Sequence, residues 1–205
     1  MDQKSVIRLI PVFVFVVAVC LGWRAVSFSE FLPRFSGFGR LLSPIFTPEV
    51  RHWAGNISAW ADAYQLDPNL VATVMQIESC GLPSAVSSAG AQGLFQVMPF
   101  HFSPEEDMRE PDTNARRGLA YLALGLARAG GNVALALAGY NGGHGQIGRD
   151  RSLWPAETRR YVYWGTGIYA DATGGLAVST RLQEWLDAGG AGLCSRAARE
   201  LGLRP

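Results

Sequence analysis

The apolar segment Leu70–Ile77 runs directly into an acidic residue, Glu78, and this junction restricts the structures that the chain can form. Asp67-Pro68 ahead of it is a helix start signal, so the segment predicts a buried helix with a carboxyl group at its end. Burial of an unpaired carboxylate is costly and raises its pKa, as a general acid requires near neutral pH. A lone Glu at a helix end more often caps the helix or forms a salt bridge, so Glu78 alone leaves both roles open.

Helix start signals recur along the chain, whereas no convincing run of alternating strand residues occurs. The starts are Thr47-Pro48, Asp67-Pro68, Asp112, Asn132, Pro155 and a capping-box pattern at Thr180 and Gln183, with a further short helix around Cys194–Leu201. Residues 80–98 are too rich in Gly, Ser and Ala for a stable helix and predict a loop or small hairpin. The fold is therefore predicted to be mainly α.

Four sequence blocks follow one another in a fixed order from Glu78 onward. They are Glu78-Ser79 with Ser87 and Gly90-Ala-Gln-Gly93-Leu-Phe-Gln96-Val-Met-Pro99; Asn114-Ala-Arg-Arg-Gly118-Leu-Ala-Tyr121-Leu122; Ala138-Gly-Tyr140-Asn141-Gly-Gly143; and Pro155-Ala-Glu157-Thr158-Arg-Arg-Tyr161-Val162. In order and spacing they resemble the soluble lytic transglycosylase (SLT) domain over about residues 47–172. The resemblance implies a goose-lysozyme-like helical domain with a small loop or hairpin wing.

The resemblance also implies a reaction that needs no cofactor and no metal. A lytic transglycosylase cleaves the β-1,4 bond between N-acetylmuramic acid and N-acetylglucosamine in peptidoglycan and leaves a 1,6-anhydro-muramoyl end. By resemblance, Glu78 acts first as acid and then as base, while the C6 hydroxyl of the sugar attacks C1. Intramolecular attack is entropically cheap, so a second protein carboxylate is not needed.

Five further residues match the family's substrate-binding positions, namely Ser87, Gln96, Tyr140, Asn141 and Tyr161. The resemblance implies that Tyr161 also orients the catalytic Glu. The chain departs from the family pattern at Gly142, where Ala is usual, at Phe95, where Met is common, and at Phe100-His101-Phe102, where Gly-Thr-Ala is frequent. The last departure leaves the groove wall after Pro99, and with it the glycan-length preference, open.

Two other functions stay open on the sequence alone. One is a lysozyme-type hydrolase that uses water, with Glu105, Glu106, Asp107, Glu110 or Asp112 as base. The other is a glycan-binding module without catalysis, which would have no need for a proton donor at Glu78. Nucleic acid is excluded as a partner because the net charge is only +1 and no Lys/Arg-rich run occurs.

Fifteen uncharged residues lie between Arg8 and Arg24, near the N-terminus. This is short for a bilayer span of roughly 20 residues, but snorkelling of the two arginines would lengthen it. Residues 1–28 are therefore predicted to be a transmembrane anchor or uncleaved signal, with Lys4 and Arg8 inside. The anchor would place the catalytic domain on the outer side of the cytoplasmic membrane, beside the cell wall.

The remaining chain divides into a membrane-proximal linker (29–46), a catalytic domain (47–175) and a C-terminal helical extension (176–205) to which no function is assigned. Cys80 and Cys194 lie outside the membrane segment. They form either a disulfide or two small buried apolar side chains, and the sequence leaves both possibilities open.

Overall fold

The computed structural model describes residues 42–203. The predicted anchor (1–28) and most of the predicted linker (29–46) lie outside the described residues. Within the described range, no helix is both long enough and apolar enough to cross a membrane.

Eight α-helices make up most of the described chain, and its loops hold only isolated β-bridges in place of strands. The helices are α1 (Pro48–His52), α2 (Ala54–Tyr64), α3 (Pro68–Glu78), α4 (Pro111–Arg128), α5 (Val133–Gly142), α6 (Ala156–Thr173), α7 (Thr180–Trp185) and α8 (Ala191–Glu200). The prediction of a mainly α fold is confirmed.

Helix α3 lies at the centre of the core. Its residues Leu70, Val71, Val74 and Met75 are almost fully buried, and the helix packs against α2 on one side and α6 on another. Helix α5 packs between α4 and α6. Leu182, Trp185 and Cys194 of the C-terminal extension are buried in the same core. Since α3 is enclosed in this way, the position of Glu78 at its end is fixed by the whole domain.

The predicted helix starts at Thr47-Pro48, Asp67-Pro68, Asn132 and Pro155 are confirmed, and the other two caps lie one or two residues earlier than predicted. Asp67 caps α3 by accepting from the Asn69 backbone N–H at 2.9 Å, and Asn132 caps α5 by accepting from the Leu135 N–H at 3.1 Å. The N-cap of α4 is Glu110 rather than Asp112, and that of α7 is Ser179 rather than Thr180. Thr47 precedes α1, but its hydroxyl donates to Gln76 Oε1 instead of capping the helix.

The segment between α3 and α4 contains the small wing that the sequence predicts. Isolated antiparallel bridges join Val86 to Gln92 and Gln92 to Val97. Asn114 of α4 holds this segment in place, because its buried amide accepts from the Phe95 N–H at 2.8 Å and donates to the Gln92 carbonyl at 2.8 Å. Gly93 has φ +74°, and an added Cβ would lie 2.5 Å from the Asn114 amide, so only glycine fits there.

A disulfide joins Cys80, two residues after Glu78, to Cys194 in α8. The two Cα atoms are 5.1 Å apart and the two residues are separated by 114 positions in sequence. The amide of Gln76 donates toward the Cys80 sulfur at 3.1 Å. The possibility of two unpaired thiols is therefore settled in favour of the disulfide, which ties the C-terminal helix to the end of α3.

Candidate active site

Glu78 is half-buried at the C-terminal end of α3, where the apolar core meets two clefts. The pKa of its carboxyl is raised from 4.5 to about 8, and burial is the main cause. Of the two smaller effects on this pKa, the nearby hydroxyl of Tyr161 lowers it and the negative charge of Glu157 raises it. Near neutral pH the carboxyl therefore holds a proton that it can donate.

Tyr161 and Glu157 lie one turn apart on α6 and both act on Glu78. Tyr161 is buried, and its hydroxyl makes no hydrogen bond of normal geometry with any described residue, although it is close enough to influence the carboxyl. Glu157 is exposed. The sequence missed Glu157 as a site residue, although its spacing of four residues from Tyr161 places the two on one helix face.

The first cleft has a volume of about 870 Å³ and is lined by Glu78, Ser87 and Gln96. Ser87 Oγ accepts from the Ala91 N–H at 3.0 Å, which closes the tight turn at the tip of the wing. Gln96 has φ +45°, and its amide donates to the carbonyls of Gly93 at 2.9 Å and Ala85 at 3.2 Å. The structure thus brings both predicted residues to the cleft that holds Glu78, each braced by the loop.

The second cleft has a volume of about 520 Å³ and lies between the ends of α3, α5 and α6. Glu78, Asn141, Glu157 and Tyr161 line it. Asn141 Oδ1 accepts from the Thr158 hydroxyl at 2.9 Å, which orients the amide. Within the described part of the chain, Glu78 is the one residue that the linings of the two clefts share.

Tyr140 stands apart from the cleft-lining residues. Its hydroxyl donates to the Phe95 carbonyl at 2.8 Å and so joins α5 to the wing. Burial raises the pKa of Tyr140 well above its ordinary value, and the charge of Glu78 adds to this rise. Tyr140 is therefore close to Glu78, but its hydroxyl already donates its proton to the backbone carbonyl of Phe95.

The acidic run from Glu105 to Asp112 does not reach Glu78. Glu106 pairs with Arg116 and Arg117 at 3.0 and 2.8 Å, and Glu110 caps α4. Asp112 accepts from the Trp60 indole N–H at 2.8 Å. None of the five carboxylates from 105 to 112, all of them in the described range, lines either cleft with Glu78. A hydrolytic base from this run is therefore not supported.

The C-terminal extension contributes residues that the sequence did not indicate. Trp185 and Ala188 line the second cleft, and Leu193, Arg196, Arg199 and Glu200 line the first. No spacing rule could have placed the α8 residues there, because α8 is joined by a disulfide to a residue far away in sequence.

A family model described as "Transglycosylase SLT domain" matches residues 55–161, just over half of the chain. The chain belongs to this family. The resemblance seen in the sequence is thereby confirmed, and α7 and α8 lie beyond the matched part of the SLT domain.

Proteins similar to this SLT domain include a phage enzyme and a bacterial enzyme. The "Transglycosylase" of Enterobacteria phage PRD1 is 39% identical over 111 residues, which cover 53% of this chain and 40% of that protein. The "Endo-type membrane-bound lytic murein transglycosylase A" of Klebsiella pneumoniae is 29% identical over 100 residues, which cover 40% of this chain and 49% of that protein. The chain therefore spans less than half of the length of these curated relatives.

A solved structure of an inactive mutant of the lytic transglycosylase Slt from Pseudomonas aeruginosa also matches. It has 25% sequence identity and a TM-score of 0.49, and the match covers 62% of this chain and 26% of that chain.

Proposed function

We propose that this protein is a peptidoglycan lytic transglycosylase that cleaves the β-1,4 bond between N-acetylmuramic acid and N-acetylglucosamine. The observation that carries the proposal is the state of Glu78, a carboxyl with a pKa of about 8 that lines both clefts of an SLT domain. A carboxyl that keeps its proton at neutral pH and lines two clefts has the properties of a general acid.

The reaction can be written with Glu78 as the only proton carrier. Its proton passes to the glycosidic oxygen as the C1–O4 bond breaks, and the N-acetylglucosamine part of the strand leaves. The resulting carboxylate then takes the proton of the muramic acid C6 hydroxyl as O6 bonds to C1. The product carries a 1,6-anhydro end, no water is consumed, and Glu78 returns to its protonated form.

The surrounding residues would hold the strand on either side of the cleaved bond. Ser87 and Gln96 would bind the substrate in the larger cleft, and Asn141 would bind it in the smaller one. Tyr161 would orient the carboxyl and stabilise its charged form after the proton has left. Tyr140 would act by positioning the wing, since its hydroxyl is engaged by Phe95.

Mass analysis of digested cell walls tests the reaction class. Purified peptidoglycan incubated with the protein should yield fragments with 1,6-anhydro-muramoyl ends, each one water lighter than the hydrolytic product. Reducing ends would instead show a lysozyme-type hydrolase. Glu157 would then be the candidate base, because it is the carboxylate that shares the smaller cleft with Glu78.

Tyr161→Phe is expected to lower turnover by about 10- to 100-fold, because the carboxyl loses the group that orients it. The variant should unfold within about 1 kcal/mol of the wild type, since the ring is kept and the lost hydroxyl has no regular hydrogen bond. The pKa of Glu78 should rise, because Tyr161 lowers it in the wild type, so the alkaline limb of the pH–rate profile should move to higher pH.

Glu157→Gln serves as a control, because it should move the alkaline limb of the pH–rate profile in the opposite direction. It removes a negative charge that raises the pKa of Glu78, so its alkaline limb should move to lower pH. Wild-type turnover and an unmoved limb in a folded Tyr161→Phe protein would remove Tyr161 from the site.

The proposal also includes the position of the enzyme in the cell envelope. Residues 1–28 would hold it in the cytoplasmic membrane with the SLT domain on the outer side, next to its substrate. The full-length protein should then remain in the membrane pellet after an alkaline wash. A mature soluble species that begins near Phe28 would show that the segment is a cleaved signal instead.

A further inference from the structure

The wall of the larger cleft opposite the wing is made by α8. Leu193, Arg196, Arg199 and Glu200 of this helix face a cleft whose other side holds Glu78 and the segment from Leu82 to Ser87. The matched SLT part of the chain ends at residue 161. This wall therefore lies outside the matched part of the SLT domain.

Arg196 and Arg199 are exposed, and neither forms a salt bridge or a side-chain hydrogen bond with any residue between 42 and 203. They are three positions apart on one helix and so project from the same face. The acidic residue beside them, Glu200, accepts a hydrogen bond from the Ser84 hydroxyl. Two cations therefore face the cleft against one anion that is already engaged.

Three contacts help to fix the helix that bears these arginines. The disulfide joins Cys194 to Cys80, Glu200 bonds to Ser84, and Ala197 is fully buried against Leu82 and Ala85. The backbone under Arg196 and Arg199 is thus held relative to Glu78. Guanidinium groups on a fixed backbone suit the bidentate binding of carboxylates.

We propose that Arg196 and Arg199 bind carboxylates of the stem peptides that substitute the muramic acid residues of the substrate. This inference rests on the proposed function, since the cleft must hold a peptidoglycan strand. A strand that passes Glu78 through the larger cleft has its peptide substituents beside the α8 wall, and free carboxylates of those peptides are matched in charge and geometry by the two arginines. The wall thereby makes the enzyme selective for peptide-bearing strands over bare glycan.

Arg196 and Arg199 contribute to substrate binding and do not change the pKa of Glu78. The groups that shift the pKa of Glu78 are its burial, Tyr161 and Glu157. Removal of Arg196 and Arg199 should therefore leave the pH–rate profile and kcat unchanged and should raise the half-saturating substrate concentration. A general loss of structure would instead change all three quantities.

The test compares the double variant Arg196→Gln/Arg199→Gln with the wild type on two substrates. One is intact peptidoglycan, and the other is the same material after an amidase has removed the stem peptides and left the lactyl carboxylates on the glycan. The half-saturating concentration is expected to rise about tenfold on the intact substrate and less than about twofold on the bare glycan.

Two results would overturn the proposal. An equal loss on both substrates would assign the arginines to the lactyl carboxylate of the glycan, and no loss on either would leave them without a role in binding. Arg109→Gln/Arg149→Gln is the matched control, because it removes the same charge at exposed arginines that line neither cleft. Failure of the proposed function would appear separately, as wild-type protein inactive on both substrates or as full activity in Glu78→Gln.

Discussion

Glu78→Gln is expected to lower the turnover of peptidoglycan strands by about 10³-fold or more, since the amide can neither give nor take the proton. The side chain keeps its size and its place at the end of α3, so binding of the strand should persist. Measurement of anhydro-muropeptide release together with binding to intact peptidoglycan separates the two effects. Wild-type cleavage by the variant would remove Glu78 as the acid.

The same substitution should change how stability depends on pH. The folded protein raises the pKa of Glu78 from 4.5 to about 8, so between these values the folded state binds the proton more tightly than the unfolded state. The contribution of this group to stability is then complete below pH 4.5 and is lost as the pH rises through about 8. Glu78→Gln carries no such titration, so its free energy of unfolding should exceed that of the wild type at high pH.

Urea unfolding at pH 5 and pH 9 measures this difference, which should be small at the lower pH and reach a few kcal/mol at the higher one, at about 1.4 kcal/mol per pKa unit. Glu105→Gln is the matched control, because Glu105 is exposed and lines neither cleft. It should follow the wild type at both pH values. A Glu78→Gln profile parallel to that of the wild type would mean that the carboxyl titrates normally.

Local sequence signals predicted the helices well and their exact caps less well. Asp67 and Asn132 were found because a short polar side chain directly precedes an apolar helical stretch. Thr47 has the same signal, but the buried amide of Gln76, 29 positions away, accepts from its hydroxyl and backbone N–H. At α4, Glu110 and Asp112 both offer a carboxylate, and the indole of Trp60 binds that of Asp112. Contacts distant in sequence therefore decided the cases of Thr47 and Asp112.

In the candidate site too, residues of one sequence block could be predicted, whereas those brought in by packing of distant helices could not. Glu78, Ser87 and Gln96 lie within one sequence block, and the structure places all three on one cleft. Tyr161 reaches Glu78 only because α6 packs against α3, and the family resemblance, not its spacing, pointed to it. The α8 wall has no local signal at all, since a charged helix near a chain end is usually a solvated surface.

The disulfide that positions this wall is expected to contribute about 3–5 kcal/mol to the free energy of unfolding, because it closes a loop of 114 residues. The double variant Cys80→Ala/Cys194→Ala should therefore unfold at a clearly lower urea concentration. Single replacement would leave a free thiol in the core, so the double variant is the informative one. Cys80 has φ +51°, and Ala bears the same backbone cost there, so the loss of stability reports the cross-link.

The double variant Cys80→Ala/Cys194→Ala should also change substrate preference, because the disulfide holds α8 in place. With Cys194 released, α8 keeps the packing of Leu193 and Ala197 and the contact of Glu200 with Ser84, but it loses its covalent link to the end of α3. The preference for peptide-bearing strands should fall, while the remaining activity keeps its dependence on Glu78. Treatment with a thiol reductant provides the control, since it should lower the unfolding midpoint of the wild type and leave that of the double variant unchanged. A reductant-insensitive wild type with an equally stable double variant would show that packing alone holds α8 against the wing.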